Sequence, residues 1–153
     1  MPVVFVTGMS GTGKSAALTE LARRGYRVVD TDYGDYSEEV DGEQLWCEDR
    51  IAALLEEQGD GVLFVAGCVA NQGRFSSRFD AVVLLSVPAD VILERIAVRD
   101  TNDFGKNDAE RERILQDLAT VEPLLRAGAT AAIDTRAPLE EVVGELERIA
   151  EEL

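Results

Sequence analysis

Apolar residues in this chain fall into short continuous runs, separated by longer stretches in which they recur every three or four positions. The first run, Val3-Val4-Phe5-Val6, is uninterrupted, rich in β-branched residues and closed by Thr7-Gly8. That pattern predicts a strand covered on both faces. Similar runs predict strands over residues 26–29, 62–66, 81–87 and 129–133. Helical spacing predicts helices over 14–24, 43–58 and 89–99. In the first of these Ala17, Leu18, Leu21 and Ala22 share a face and Gly25 supplies the stop. Asn107 and Glu110 have the spacing of a capping box, which opens a further helix carrying Ile114, Leu118, Val121 and Leu125 on one face. Pro123 interrupts that pattern, so a kink or break is expected near Val121. Leu139, Val142, Val143, Leu146 and Ile149 predict a final amphipathic helix with Pro138 near its first turn. Strands alternating with helices specify an α/β domain around a mostly parallel sheet, and such sheets bind ligands beyond the carboxyl ends of their strands.

Length and composition narrow this picture. A chain of 153 residues, 46% hydrophobic and 29% charged, is expected to fold as a single domain over 1–153. No apolar run approaches the roughly 20 residues that span a bilayer, and the segment starting at Met1 lacks the basic flank of a signal peptide. Cys47 and Cys68 show no metal-site spacing and read as two reduced thiols. Together these features predict a cytoplasmic protein without a membrane partner, either a monomer or a homodimer. The net charge of −15 repels polyanions and disfavours an extended nucleic-acid surface. The chain has no histidine, so proton transfer falls to carboxylates, lysine or water.

Candidate chemistry begins directly after the first strand. Gly8-Met9-Ser10-Gly11-Thr12-Gly13-Lys14-Ser15 fits G-x-x-x-x-G-K-[ST], the Walker A phosphate loop. Gly8, Gly11 and Gly13 let the backbone curl around phosphate oxygens, with the N–H groups of Ser10 and Thr12 available to them. The helix opening at Lys14 adds its positive end. Lys14 can reach the β- and γ-phosphates of ATP, and the Ser15 hydroxyl can ligate Mg²⁺. A strand before the motif and a helix after it supply the context that distinguishes it from a plain glycine-rich turn.

With this loop in place, the chain resembles the nucleoside monophosphate kinase-like P-loop proteins, and among them shikimate kinase and adenylate kinase-like small-molecule kinases. The resemblance implies a three-layer α/β/α P-loop fold with a five-stranded parallel sheet in the order 2-3-1-4-5. It implies a small-molecule kinase using ATP and Mg²⁺, with an acceptor-binding region near 33–60 and a short lid near 100–107. Asp30-Thr31-Asp32 stands where those proteins carry an Asp-x-Asp. By that likeness Asp30 would steady the metal's water shell, and Asp32 would hold and deprotonate the acceptor hydroxyl. Arg95 and Arg99, four residues apart and so on one helix face, match arginines that lie on the adenine and the phosphates. Arg136, after the fifth strand, occupies the place of an adenine loop. The segment 68–78 departs from those proteins, lacking the glycine triplet of shikimate kinase and the acidic signature of adenylate kinases. Gln72 and Arg74 stand there instead, to read an acceptor as a base or sugar by the amide or an anionic group by the guanidinium, or as part of a polar crossover loop. The third strand ends Val65-Ala66-Gly67-Cys68, without the acid of a Walker B pattern. That departure keeps open a second reading, a nucleotide-binding or slow ATPase module with no dedicated acceptor. The chemistry also leaves each acid open to a turn or capping role, each arginine to a surface ion pair, and Cys68 and Trp46 to packing.

Overall fold

The computed structural model describes residues 2–9, 11–57, 59–98 and 107–153. Five strands form one parallel sheet: β1 (Val3–Thr7), β2 (Arg27–Asp30), β5 (Leu63–Ala66), β6 (Ala81–Ser86) and β7 (Ala131–Asp134). Two further strands, β3 (Ser37–Val40) and β4 (Glu43–Trp46), pair antiparallel in a separate ribbon. The sheet runs β2-β5-β1-β6-β7. Counting only its own strands, this is the expected order 2-3-1-4-5. β1 is central, paired in register with β5 (Val3 to Leu63) and β6 (Val4 to Ala81). Every residue of β1 is buried, as its unbroken apolar run requires.

Side chains alternate across the sheet, and two clusters cover its faces. Val4 and Val6 pack with Leu18 and Leu21 of α1 (Lys14–Arg23) and with Val143 and Leu146 of α6 (Leu139–Glu151). Val3 and Phe5 pack on the other face with Trp46, Phe79, and Ile51 and Leu54 of α2 (Glu48–Glu56). A third cluster joins Ile92 and Ile96 of α3 (Ala89–Val98) to Ile114 of α4 (Asp108–Thr120). Asn107 caps α4, accepting from the Glu110 amide at 2.8 Å and donating to the Glu110 carboxylate at 2.6 Å. The break falls at Val121, which ends α4 and opens α5 (Glu122–Gly128), with Pro123 in the first turn where no amide bond is lost.

The expected helix over 43–58 is corrected. Residues 43–46 are strand β4, and the helix occupies only Glu48–Glu56. Asp41 (φ 52°) and Gly42 (φ 82°) form the tight turn of the ribbon, since two left-handed residues match the twist of paired strands. Residues 72–78 wind into a 3₁₀ helix. No described helix is long and apolar enough to cross a membrane.

Candidate functional site

The carboxyl ends of β1, β2 and β5 bring the phosphate loop beside the Asp30-Thr31-Asp32 turn. Gly8 cannot be replaced without a shift: a Cβ there would lie 2.5 Å from the Leu85 carbonyl oxygen and 2.8 Å from Thr12 Oγ1. Gly13, at φ 100°, is the left-handed cap from which α1 starts, a conformation glycine adopts without penalty. Thr12, fully buried, donates its hydroxyl to the Met9 carbonyl at 2.8 Å and tightens the loop. No acidic side chain lies in the first turn of α1, so its positive end is left to an anion.

Lys14 folds back over this loop. Its ammonium donates to the carbonyls of Gly8 and, at 3.2 Å, Met9. Burial lowers its pKa from the usual lysine value, while Cys68, Asp32 and Asp30 draw it back up. Ser15 donates its hydroxyl to an Asp30 carboxylate oxygen at 2.8 Å. This pair of hard oxygen donors at the start of α1 is chemically suited to Mg²⁺ and to the water it keeps around itself. Asp32 opens to solvent, its amide bonded to Asp30 Oδ1 at 3.2 Å. Partial loss of hydration raises its carboxyl above the ordinary range; Lys14 opposes that rise and Asp30 adds to it.

Arg95 reaches the loop from α3. It donates to the Gly11 carbonyl at 3.3 Å, to the Thr135 hydroxyl at 3.0 Å and to the Thr135 carbonyl at 2.5 Å. Thr135, buried just beyond β7, donates in turn to the Thr12 carbonyl at 2.7 Å. Beside this junction lies a mostly apolar cavity of about 270 Å³ lined by Thr12, Gly13, Ala16, Arg95, Thr135 and Leu139 among others. Its walls suit a flat base placed next to the phosphate loop.

The other sequence-derived candidates are engaged elsewhere. Arg136 folds onto Asp134 at 2.6 Å, and Arg74 meets Glu48 at 3.2 Å. Gln72 accepts from the Val69 amide at 2.9 Å and donates to Thr7 Oγ1 at 3.2 Å. Its amide thus braces the root of the phosphate loop. Ser10, Arg99 and the lid segment over 100–106 lie outside the described residues.

Several contributors are not singled out by sequence. Thr135 follows Asp134 in the loop from which Arg136 is chosen, but only the fold reveals its bond to Thr12. Thr31 accepts from Trp46 Nε1 at 3.0 Å and donates to the Ala66 carbonyl at 2.7 Å, fixing the turn that carries both aspartates. Gly67 passes so close that a Cβ would collide with Thr31 Oγ1. Trp46 is 2% exposed and belongs to the core. Cys68 contacts Thr7 and the Gly8 backbone, and burial raises its thiol pKa. Both cysteines are free thiols.

The model of the AAA domain family matches residues 4–116 of this chain. HPr kinase/phosphorylase of Bacillus mycoides is 38% identical over 79 residues, covering 48% of this chain and 26% of that protein. The Geobacillus protein of the same name is 37% identical over 83 residues, 50% of this chain and 27% of its own length. The chain therefore spans about a quarter of the length of the curated relatives it matches. Among solved structures, shikimate kinase from Acinetobacter baumannii in complex with shikimate superposes with a TM-score of 0.68 at 21% identity, over 97% of this chain and 92% of that one. A gluconokinase from Sinorhizobium meliloti gives 0.66 at 24% identity, over 99% and 94%. At such identities the likeness is one of fold.

Proposed function

The chain belongs to the AAA domain family and has the fold of the P-loop kinases, and on that basis we propose that it transfers the γ-phosphoryl group of ATP to a hydroxyl of a small acceptor. The observation that carries this reading is the placement of Asp32. An exposed carboxylate stands within electrostatic reach of Lys14, beside the phosphate loop, where an acceptor hydroxyl can be met.

The amides of the loop and the start of α1 would hold the triphosphate, and the cavity beside Arg95 and Thr135 would take the base. Lys14 would exchange its bonds to the Gly8 and Met9 carbonyls for phosphate oxygens, which are better acceptors for an ammonium ion. Ser15 and Asp30 would hold Mg²⁺ directly or through its waters; bound there, the ion would neutralise phosphate charge. Arg99 would add a cation from the segment leading into the lid. The acceptor oxygen attacks phosphorus, its bond to the γ-phosphoryl group forms, and the bond to the β,γ-bridging oxygen breaks to leave ADP. The hydroxyl proton passes to the Asp32 carboxylate, whose raised pKa makes it a better base than an ordinary aspartate. Asp32, Gln72 and Arg74 would line the acceptor's side, with Gln72 acting through the phosphate loop that it braces. Arg136 would serve the base only after leaving Asp134.

The end of β5 favours a second reading. Gly67 and Cys68 stand where a Walker B acid would help organise metal and water, and a module lacking one can bind ATP and hydrolyse it slowly. Mass spectrometry of a metabolite and nucleoside panel incubated with Mg·ATP separates the two. A phosphorylated product formed by the intact protein and absent with Lys14→Ala supports the kinase. ADP release that ignores the panel supports the slow ATPase.

A further inference from the structure

The β3–β4 ribbon hangs at the acceptor side of the site and is tied to both of its walls. Ser37 donates to the Thr31 carbonyl at 3.0 Å, next to Asp32. The Ala70 amide donates to the Gln44 carbonyl at 3.2 Å. The strand register pairs Ser37 with Trp46 and Glu39 with Gln44. Directly paired residues project from one face of a ribbon, so these four share a face. Trp46 and Ser37 both contact Thr31, which makes that face the inner one, turned toward the Asp30-Thr31-Asp32 turn. Glu38 pairs with Leu45 on the outer face. Glu39 is exposed, and among the described residues its carboxylate has no hydrogen-bond or ion-pair partner.

Among the described residues, the cations around the ribbon are few, and two of them are already matched. Arg50 is the single basic residue between Asp30 and Glu57, and it lies 3.7 Å from Asp35. Arg74 meets Glu48. Arg78 ends the 3₁₀ helix two residues before Asp80, whose carboxylate accepts the Val3 amide at the opposite end of the sheet. To use Arg50 or Arg74, an anionic acceptor would have to displace a carboxylate, against a surrounding field of the same sign. An ammonium group meets the reverse situation. Glu39 and Asp32 offer it carboxylates, and Tyr33, 68% exposed beside Asp32, offers the face of an aromatic ring.

We propose that the acceptor is an amino-bearing, cationic hydroxyl compound, and that Glu39, on the inner face of the ribbon, recognises its ammonium group. This rests on the kinase reading above and narrows its substrate class; the transfer step itself is unchanged. A metabolite extract is separated by ion exchange into cationic, neutral and anionic fractions, and each is incubated with the protein and γ-labelled ATP. The inference expects label to enter the cationic fraction. Transfer into the neutral or anionic fraction alone overturns the inference and leaves the kinase intact. ADP formation without labelled product in any fraction removes the kinase reading, and this inference with it. With the labelled acceptor purified, Glu39→Gln should raise its KM about threefold to fivefold, the scale of one exposed charge pair, with kcat unchanged. Glu38→Gln, on the outer face, should leave KM in place, and added salt should weaken the wild type more than Glu39→Gln. Equal KM for Glu39→Gln and wild type, with both folded by urea titration, would overturn the role of Glu39.

Discussion

The hydroxyl of Thr135 donates to the carbonyl of Thr12 at 2.7 Å, joining the loop after β7 to the phosphate loop across 123 residues of sequence. The same hydroxyl accepts from Arg95 at 3.0 Å, so a single oxygen locks α3, β7 and the nucleotide loop together. Thr135→Val preserves shape but removes the buried donor to the Thr12 carbonyl and one of the acceptors of Arg95. The expected cost is about 1–3 kcal/mol of stability, read by urea denaturation, together with weaker ATP binding by calorimetry.

Asp30 accepts the Ser15 hydroxyl at 2.8 Å, and under the proposed kinase reading it would act through the water around Mg²⁺. Asp30→Asn retains the size of the side chain and removes its charge. The Mg²⁺ concentration needed for half-maximal ATP binding should then rise about 10- to 100-fold, the usual effect of losing a group that orients metal ligands. A Mg²⁺ titration followed by calorimetry measures this without depending on turnover.

Asp32 predicts a pH dependence with a defined sign. Under the proposed transfer Asp32 is the base and must be ionised; incomplete hydration raises its carboxyl above the ordinary range, with Lys14 opposing and Asp30 adding to the rise. Acceptor phosphorylation should therefore fall as pH drops through a value higher than the roughly 3.9 of a free aspartate. Asp32→Asn should abolish this acidic limb and lower kcat by about 10²- to 10⁴-fold. A profile of kcat/KM against pH, recorded for both proteins, checks it.

Trp46 is the single tryptophan of the chain and supports the aspartate turn from below. It packs edge-on against Phe5 at 5.3 Å between ring centroids and bonds Thr31 at 3.0 Å. Trp46→Ala should cost about 3–5 kcal/mol, measured by chemical denaturation. In the wild type its fluorescence should respond to acceptor binding, since its indole hydrogen bond ends one residue from Asp32.

The phosphate loop and the buried strands were legible because each rests on local signals, whereas the sheet order came from the resemblance to P-loop kinases that the loop carries. A buried parallel strand reads as an unbroken apolar run, and a glycine-rich loop between strand and helix has few other uses. The β3–β4 ribbon was not legible in the same way. Glu38, Glu39, Val40 and Glu43 are all exposed, so no alternation of apolar and polar residues marks the strands. The helical spacing of Ile51, Leu54 and Leu55 carries the expected helix back over residues 43–46, where strand β4 lies. Site residues divide by the same criterion. Lys14 and Ser15 follow from the motif, whereas Thr135, Gln72 and Arg74 have partners 123, 65 and 26 residues away. Such partners depend on how the strands assemble, which the local pattern does not encode.

The central claim is coupled phosphoryl transfer, and its most direct test is stoichiometry. ADP, inorganic phosphate and phosphorylated acceptor are quantified together in one reaction containing the acceptor fraction, Mg·ATP and the intact protein. The account predicts one phosphorylated acceptor for each ADP, little free phosphate, and loss of both products with Lys14→Ala. ADP matched by inorganic phosphate, at a rate indifferent to the acceptor fraction, would contradict it.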